Sequence, residues 1–381
     1  MESRINYRQM SILVFMSFIS LKMLALPSVM YKDSENMSWF VTLVLMIVDM
    51  IYALLIVEMM KKSGSKNILE FMTYCVGGFL ARVFLIAYIL KFALVIANIS
   101  KGLEFFVVEN FYSEFNWLVF VIPLIIILGF MVYKGIRNIA RVNELICWAV
   151  VLGCIYIALN SIEDVDFLSF LPMFKDGAKP LFVSGFRHLS WFGSASFLMM
   201  LFSSVDFATE KKRTLVKYCL FGIGVVILVH MVFYGLFDNI SPMRNFAISD
   251  ISQYSSEHNS IDELSWLIVA LWVVAQAVQL SLYGYCLMLS IKFMFNIKNN
   301  TFPILLVMTY VLLWSYVGEN TIRLEQAFFT PFASIVTIVA EYLIPPLLAI
   351  IYAIKNRKKK PKKIKKGRAK NEKVAVNFQS A

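Results

Sequence analysis

Two short stretches inside apolar segments carry residues that could bind the charged ends of a small solute. They contain Ser20, Lys22 and Met23 in the first segment, and Ser190, Trp191, Phe192 and Gly193 in the sixth. If a helix is interrupted there, main-chain N–H and C=O groups become free, and an exposed helix N-terminus attracts a carboxylate. Serine hydroxyls could bind the ammonium group of the same solute, and the two aromatic rings could line or gate the pocket. The alternative is simple packing, since small residues let membrane helices approach one another.

Lys22 is the least expected of these residues, because it lies deep within an apolar segment. At ~1.5 Å per helical residue it lies ~20 Å from the inner end of the segment. A lysine at such depth costs roughly 2.5–3.5 kcal/mol. Its ammonium could replace a coupling sodium ion or contact a ligand carboxylate. It could instead form a structural ion pair with Asp49, Glu144 or Glu341, or reach outward along its apolar stem.

Other titratable residues in the apolar segments are weaker candidates. His230 and Glu341 could relay protons, but neither belongs to a recognisable chain of titratable groups. Glu144 lies close in sequence to Arg141, so a local ion pair is expected there.

The chain carries no pattern typical of an enzyme or a metal site. It has no His-Glu-x-x-His sequence, no phosphate-binding glycine loop and no recognisable Ser, His and Asp set. Its five cysteines are scattered without metal-ligand spacing, and we expect them to be small core residues. We therefore predict a protein that is not an enzyme and that has neither a cofactor nor a metal ion.

Long apolar stretches predict an all-α polytopic membrane protein with ten transmembrane helices. Hydrophobic residues make up 59% of the chain and charged residues only 16%, which is unlike an ordinary soluble domain. Each stretch has about the length that crosses a bilayer. The stretches cover residues 9–30, 38–60, 79–99, 116–133, 139–159, 181–203, 215–237, 264–291, 302–317 and 331–354.

The charges are divided between the two sides of the predicted membrane. Lysine and arginine are concentrated at the N-terminus and in every second gap, and most acids lie in the other gaps, so both termini are predicted to be cytoplasmic. Residues 1–354 form the membrane domain, and residues 355–381 form a basic tail predicted to be disordered. The net charge of +11 comes from this tail. The tail could bind anionic lipid headgroups or only mark the cytoplasmic side, and it does not indicate nucleic-acid binding.

The two irregular stretches occupy corresponding positions in the chain. They open two halves of five helices, and because five is odd, the second half starts on the opposite side of the membrane. Hydropathy and the positions of the interruptions therefore predict inverted repeats, as in many transporters, whose interrupted helices mark a central site.

Four groups of residues resemble one family of membrane proteins. They are Tyr133 to Glu144, Ile5 to Gln9 followed by Leu24 to Ser28, Phe170 to Pro180, and Ser190 to Gly193. Together they are similar to the B subunits of bacterial spore germination receptors. These are the GerAB-like endospore germination permeases of the amino acid–polyamine–organocation superfamily. The resemblance covers about residues 5–354.

The resemblance implies a LeuT-like fold, that is, a 5+5 inverted repeat with broken helices 1 and 6. It implies a receptor subunit that binds a small amino acid at the helix 1/helix 6 break. This subunit would signal to A and C subunits in the spore inner membrane during germination. The resemblance also places the eighth segment against the site, where Gln279 is the expected polar contact unless it only bonds a neighbouring helix. The alternative function is a secondary amino acid transporter coupled to H⁺ or Na⁺, which needs the same pocket.

Overall fold

The computed structural model describes residues 4–20, 22–64, 66–111, 117–171, 174, 177–208, 213–258, 262–317 and 331–359. Within these ranges the chain is helical apart from connecting loops and one pair of parallel strands, β1 (Ile5–Asn6) and β2 (Val205–Asp206). The helices are α1 (Tyr7–Ser20), α2 (Leu26–Ser34), α3 (Ser38–Lys62), α4 (Ile68–Val76), α5 (Gly78–Phe111), α6 (Trp117–Lys134), α7 (Ile136–Ser161), α8 (Lys179–His188), α9 (Arg213–Phe237), α10 (Ala247–His258), α11 (Asp262–Phe295), α12 (Thr301–Val317), α13 (Pro331–Ile338) and α14 (Ile344–Lys359). Short 3₁₀ helices cover Glu35–Met37, Ile162–Asp164, Phe167–Phe170, Leu189–Trp191, Ser194–Leu201 and Asp238–Met243.

Six helical spans in the described part of the chain are long and apolar enough to cross a membrane. They are Leu26–Lys62, Gly78–Glu109, Ile136–Asp164, Arg213–Met243, Leu267–Phe295 and Phe332–Arg357. Two shorter apolar helices cover Leu118–Lys134 and Thr301–Tyr316. Large apolar side chains such as Leu145 and Leu152 are exposed on the outer surface of the helices, which suits contact with lipid. The chain is therefore a multi-pass membrane protein.

Both stretches with irregular residue types are interrupted. In the first, α1 ends at Ser20 and α2 begins at Leu26, with Pro27 in the first turn, where a missing N–H does no harm. In the sixth, α8 and a 3₁₀ turn end before Gly193, whose φ of 78° is left-handed, and a second 3₁₀ helix starts at Ser194. A residue without Cβ adopts this backbone conformation at little cost.

The last described helical span contains a π-helical bulge at Val339–Leu343, between α13 and α14. Its cause lies in the sequence, because Pro345 and Pro346 have no N–H groups for the carbonyls of Glu341 and Tyr342. The Tyr342 carbonyl instead accepts a hydrogen bond from the Tyr52 hydroxyl, at 3.1 Å. The bulge lies beside the two interrupted stretches.

The interrupted stretches are held by the surrounding helices and by each other. Helix α1 packs against α7 and α9, while α11 packs against α5, α6 and α7. The β1–β2 pair joins the residues before α1 to those after the 3₁₀ helix Ser194–Leu201. The Ile5 N–H donates a hydrogen bond to the Ser204 carbonyl, at 2.8 Å. All five cysteines are free and buried, as predicted. Helix α14 continues to Lys359, past the predicted boundary at residue 354, and residues 360–381 of the tail lie outside the described residues.

Candidate functional site

The candidate site lies where the two interrupted stretches meet α3. Lys22 lies between α1 and α2, and its Nζ is 3.1 Å from Oδ2 of Asp49, near the middle of α3. Both side chains are completely buried, at 0% exposure. The ammonium also donates a hydrogen bond to the hydroxyl of Ser194, just after the second interruption. Of the three acids considered as partners of Lys22, the structure therefore selects Asp49.

The Asp49 carboxylate binds the start of the 3₁₀ helix Ser194–Leu201. Its Oδ1 accepts hydrogen bonds from the Gly193 N–H and from the Tyr342 hydroxyl, the latter at 3.2 Å. Its Oδ2 accepts one from the Ser194 hydroxyl at 3.4 Å. A helix N-terminus offers free N–H groups and a positive dipole end to an anion. The chain thus supplies its own carboxylate, and through Lys22 its own ammonium, to the interrupted helices.

A second buried ion pair lies on the other side of Gly193. Glu341, in the π-helical bulge, pairs with Lys91 of α5 and accepts a hydrogen bond from the Ser196 hydroxyl at 3.2 Å. The other oxygen of Glu341, Oε2, is buried and has no hydrogen-bond partner among the described residues. A Cβ on Gly193 would lie 2.8 Å from the Cβ of Glu341 and closer still to its carboxylate. Only glycine therefore fits between the two pairs.

Aromatic rings surround the Lys22 ammonium. Nζ lies 5.1 Å from the ring centroid of Phe192 and 5.3 Å from that of Phe18. The negative face of such a ring attracts a cation, and more strongly where water is excluded. Of the two aromatic residues considered from the sequence, Phe192 lines the site. Trp191 is buried next to it.

Side chains from other helices satisfy the main-chain groups freed by the interruptions. His230 Nε2 lies 2.8 Å from the Lys22 carbonyl, and the Tyr234 hydroxyl donates to the Pro27 carbonyl at 3.0 Å. The Tyr283 hydroxyl donates to the Ser194 carbonyl at 3.3 Å. Because a buried carbonyl without a partner is costly, these contacts account for His230 without a proton relay.

The glutamine at the first interruption is Gln276. Its Nε2 donates to the Ser20 carbonyl at 2.7 Å, and its Oε1 accepts from the Ser20 hydroxyl at 3.4 Å. The structure places Gln279 further along α11, where its Nε2 donates to Oδ1 of Asn143 at 3.3 Å. One turn of helix separates the two glutamines, and hydropathy does not distinguish between them.

The remaining predicted residues are buried near the interruptions without touching the ion pair. Met23 Sδ lies 3.9 Å from the Cys154 thiol, and the Ser190 hydroxyl has no hydrogen-bond partner in the described part of the chain. The predicted Glu144–Arg141 pair needs correction, since Glu144 pairs with Arg8, at 3.2 Å. From the sequence, no site role was assigned to Lys91, Ser196, Tyr283 or Tyr342, and Asp49 was considered only as a structural partner of Lys22. The available signal was that buried charges in apolar helices must pair.

The charges of the site are balanced within the chain. All the residues of the site are buried, and each ammonium is balanced by one carboxylate. Among the described residues, no three His, Cys, Asp or Glu side chains come together as a metal-binding group. A charged solute that enters must replace one of these internal contacts, because an unpaired buried charge is strongly unfavourable.

Comparison with known proteins gives one family. A family described as "Spore germination protein" matches residues 4–322 of the chain. Spore germination protein KB of Bacillus subtilis (strain 168) is 21% identical over 303 residues, which cover 78% of this chain and 80% of that protein.

Proposed function

Because the chain belongs to the spore germination protein family, we propose that it is the solute-binding subunit of a nutrient germinant receptor. The solute is a small amino acid, and it binds where the two interrupted helices meet. The observation that carries this proposal is the Lys22–Asp49 pair, whose carboxylate binds the Gly193 N–H. The interrupted helices thus already hold one carboxylate and one ammonium, the two charged groups of a zwitterion.

Binding proceeds by exchange of these groups. The carboxylate of the amino acid takes the place of Asp49 both at the Gly193 N–H and beside the Lys22 ammonium, and the ammonium group of the amino acid pairs with the released Asp49. Since the solute brings both charges, the buried site stays neutral and no ion is left unpaired. A ligand shifts the balance between two helix arrangements only if it binds one of them more tightly than the other. Each tenfold difference between the two affinities shifts the balance by ~1.4 kcal/mol. Rearrangement of Lys22 and Asp49 provides that difference.

Contacts at both ends of the interrupted stretches close the site. On the predicted external side, Asp33 of α2 pairs with Arg187 and with His188 of α8. The His188 Nε2 lies 2.7 Å from Oδ2 of Asp33. On the predicted cytoplasmic side, the β1–β2 pair joins the same two stretches. We infer that the Asp33 contacts must open to admit the solute and that a movement of the inner end passes the signal on.

We also propose how the spans are arranged in the membrane and where the chain works. The interruptions before α2 and after α8 support a LeuT-like arrangement of ten spans in two inverted halves, with broken helices 1 and 6. We propose that both termini are cytoplasmic, that the chain works in the spore inner membrane beside A and C subunits, and that the basic tail meets anionic lipid headgroups. Residues 1–354 carry the binding function.

Germination of spores tests the proposal. A strain that lacks this chain should lose its response to at least one amino acid in a panel of the twenty, and the wild-type gene should restore it. The variant with Lys22→Met and Asp49→Asn together removes both charges without leaving one unpaired. It should reach normal abundance in the inner membrane and still fail to respond.

A matched control uses an acid at the exposed end of the same helix. Glu58→Gln changes a residue of α3 that is paired with Lys62 at the surface, 2.9 Å away, and it should restore the response fully. A deletion strain that responds normally to every amino acid would contradict the receptor function. A normal response of the double variant would remove the Lys22–Asp49 pair from the site.

The second candidate is a secondary transporter, and one contact favours it. The Lys22 ammonium is bound between Asp49 and Ser194 as a coupling cation would be. Uptake of radiolabelled amino acid into proteoliposomes, driven by a proton or sodium gradient, would support transport. Saturable binding without uptake would support a receptor alone.

A further inference from the structure

We propose that the chain has a second site for a small zwitterionic solute, in a cavity on the predicted external side. The cavity has a volume of about 410 Å³, within the range of small-molecule sites. Its walls come from α2 and the residue before it, from the last turns of α5, and from the loop that leads to α10. None of the residues of the Lys22–Asp49 site lines it.

The first indication of a ligand is a buried hydroxyl on the wall. Ser28 of α2 lines the cavity and is only 2% exposed, and its Oγ has no hydrogen-bond partner among the described residues. Leaving a buried polar group unpaired is unfavourable, and such groups are rare in folded proteins. A polar group of a solute in the cavity would supply the partner.

The second indication is that both signs of charge face the same cavity. Lys32 and Arg244 bring positive charge, and Glu109 of α5 brings negative charge. The Glu109 carboxylate is held by the side-chain amide of Asn245, whose Nδ2 lies 2.9 Å away. Arg244 is held over the ring of Phe237, 4.6 Å from its centroid. It also pairs with Asp250, 3.8 Å away. The Glu109 and Arg244 side chains are therefore held in place by contacts within the chain.

These charges select the chemical class of the ligand. An anion alone would be repelled by Glu109, and a cation alone by Lys32 and Arg244. A zwitterion satisfies both signs, and the apolar side chains of Val29 and Phe105 suit a small aliphatic group. The cavity is therefore suited to an aliphatic amino acid.

The cavity also touches the first interruption. Ala25, the last residue before α2, lines it, and the preceding Leu24 carbonyl accepts the N–H of Ala247 at the start of α10, at 3.1 Å. A solute in the cavity thus contacts the same turn that places Lys22. The site does not depend on the proposed exchange at Lys22 and Asp49, so the two can fail separately.

A reporter at the rim of the cavity tests the proposal directly. Met243 lines the cavity and is 81% exposed, while the natural cysteines are buried. Met243→Cys therefore accepts an environment-sensitive fluorophore selectively. The full-length labelled protein in nanodiscs is titrated with glycine, L-alanine, L-valine and L-leucine, and separately with acetate and with ethylammonium. At least one amino acid should give a saturable change, and neither single-charge compound should.

Variants of the labelled protein locate the signal. Glu109→Gln and Ser28→Ala should each raise the midpoint of the titration, Glu109→Gln by ~10-fold or more because it removes a bond to a charged group. Glu163→Gln, at an exposed acid in the 3₁₀ helix that follows α7, should leave the midpoint unchanged. The Lys22→Met and Asp49→Asn double variant should still bind, because neither residue lines the cavity.

Three results would overturn the second site. They are no saturable change with any of the four amino acids, an equal response to acetate or ethylammonium, and a response that survives Glu109→Gln but disappears in the double variant. The last result would assign the signal to the Lys22–Asp49 site and leave that proposal standing. A failed germination test, in contrast, would leave the titration result untouched.

Discussion

Gly193→Ala should be the most damaging small substitution at the candidate site. Its left-handed φ of 78° costs an alanine roughly 1–2 kcal/mol. The added Cβ would also lie 2.8 Å from the Cβ of Glu341, an atom that no side-chain rotation moves away. The Glu341 carboxylate is held by Lys91 and Ser196, so relief requires a backbone shift. Overpacking of this kind costs typically 1–3 kcal/mol, which gives about 2–5 kcal/mol in all.

Gly185→Ala is the matched control for this substitution. Gly185 lies in α8, only two turns from Gly193 in sequence, and a Cβ there would meet nothing within 4 Å. In a helix the same change gains ~1 kcal/mol, because alanine loses less backbone entropy than glycine. Thermal unfolding of the two purified variants should therefore shift in opposite directions from the wild-type midpoint. Spores with Gly193→Ala should lose the nutrient response, and spores with Gly185→Ala should keep it.

A double-mutant cycle shows whether Glu341 is the cause. In a Glu341→Ala background the closest contacts of the new Cβ disappear, so Gly193→Ala should cost less there than in the wild type. If Gly193→Ala and Gly185→Ala behave alike in both unfolding and germination, the tight turn between the two ion pairs is refuted. Equal costs in both backgrounds would leave backbone strain and the contact with the Cβ of residue 341, which alanine retains, as the explanation.

Two further outcomes follow from buried charges. Asp49→Asn alone should destabilise the protein by ~3–5 kcal/mol, because the buried Lys22 loses its carboxylate partner, and adding Lys22→Met should recover most of this loss in a thermal unfolding assay. Burial raises the pKa of Asp250, in α10 outside the membrane spans, from 3.8 to about 6, against the opposing effect of Arg244. A raised pKa means that the folded state binds the Asp250 proton more tightly than the unfolded state does. The protonated Asp250 carboxyl therefore stabilises α10 fully below pH ~4. This stabilisation, up to ~3 kcal/mol, is lost as the pH rises through 6. Hydrogen exchange of α10 amides, corrected for intrinsic rates, should become faster over this range in the wild type and stay nearly flat in Asp250→Asn.

Much of the architecture follows from local sequence. The apolar stretches predicted membrane helices, and glycine and serine among apolar residues predicted where helices would stop. Proline placement explains both the start of α2 and the π-helical bulge before Pro345. The depth of Lys22 predicted that it needs a partner, since an unpaired ammonium is unfavourable in an apolar surrounding. These inferences depend only on neighbours along the chain.

The identity of the partners was decided by the tertiary structure. The sequence left Asp49, Glu144 and Glu341 as candidate partners of Lys22, and Gln279 was preferred as the polar contact between the eighth segment and the site. Helical periodicity tells which residues share a face, but it does not tell which helix that face meets or at what height. The packing of α3 against the two interruptions selected Asp49, and the bulge at Glu341 directed that acid to Lys91. Residue types thus determined that charges in the apolar helices must be neutralised, and only the three-dimensional arrangement decided which charge neutralises which.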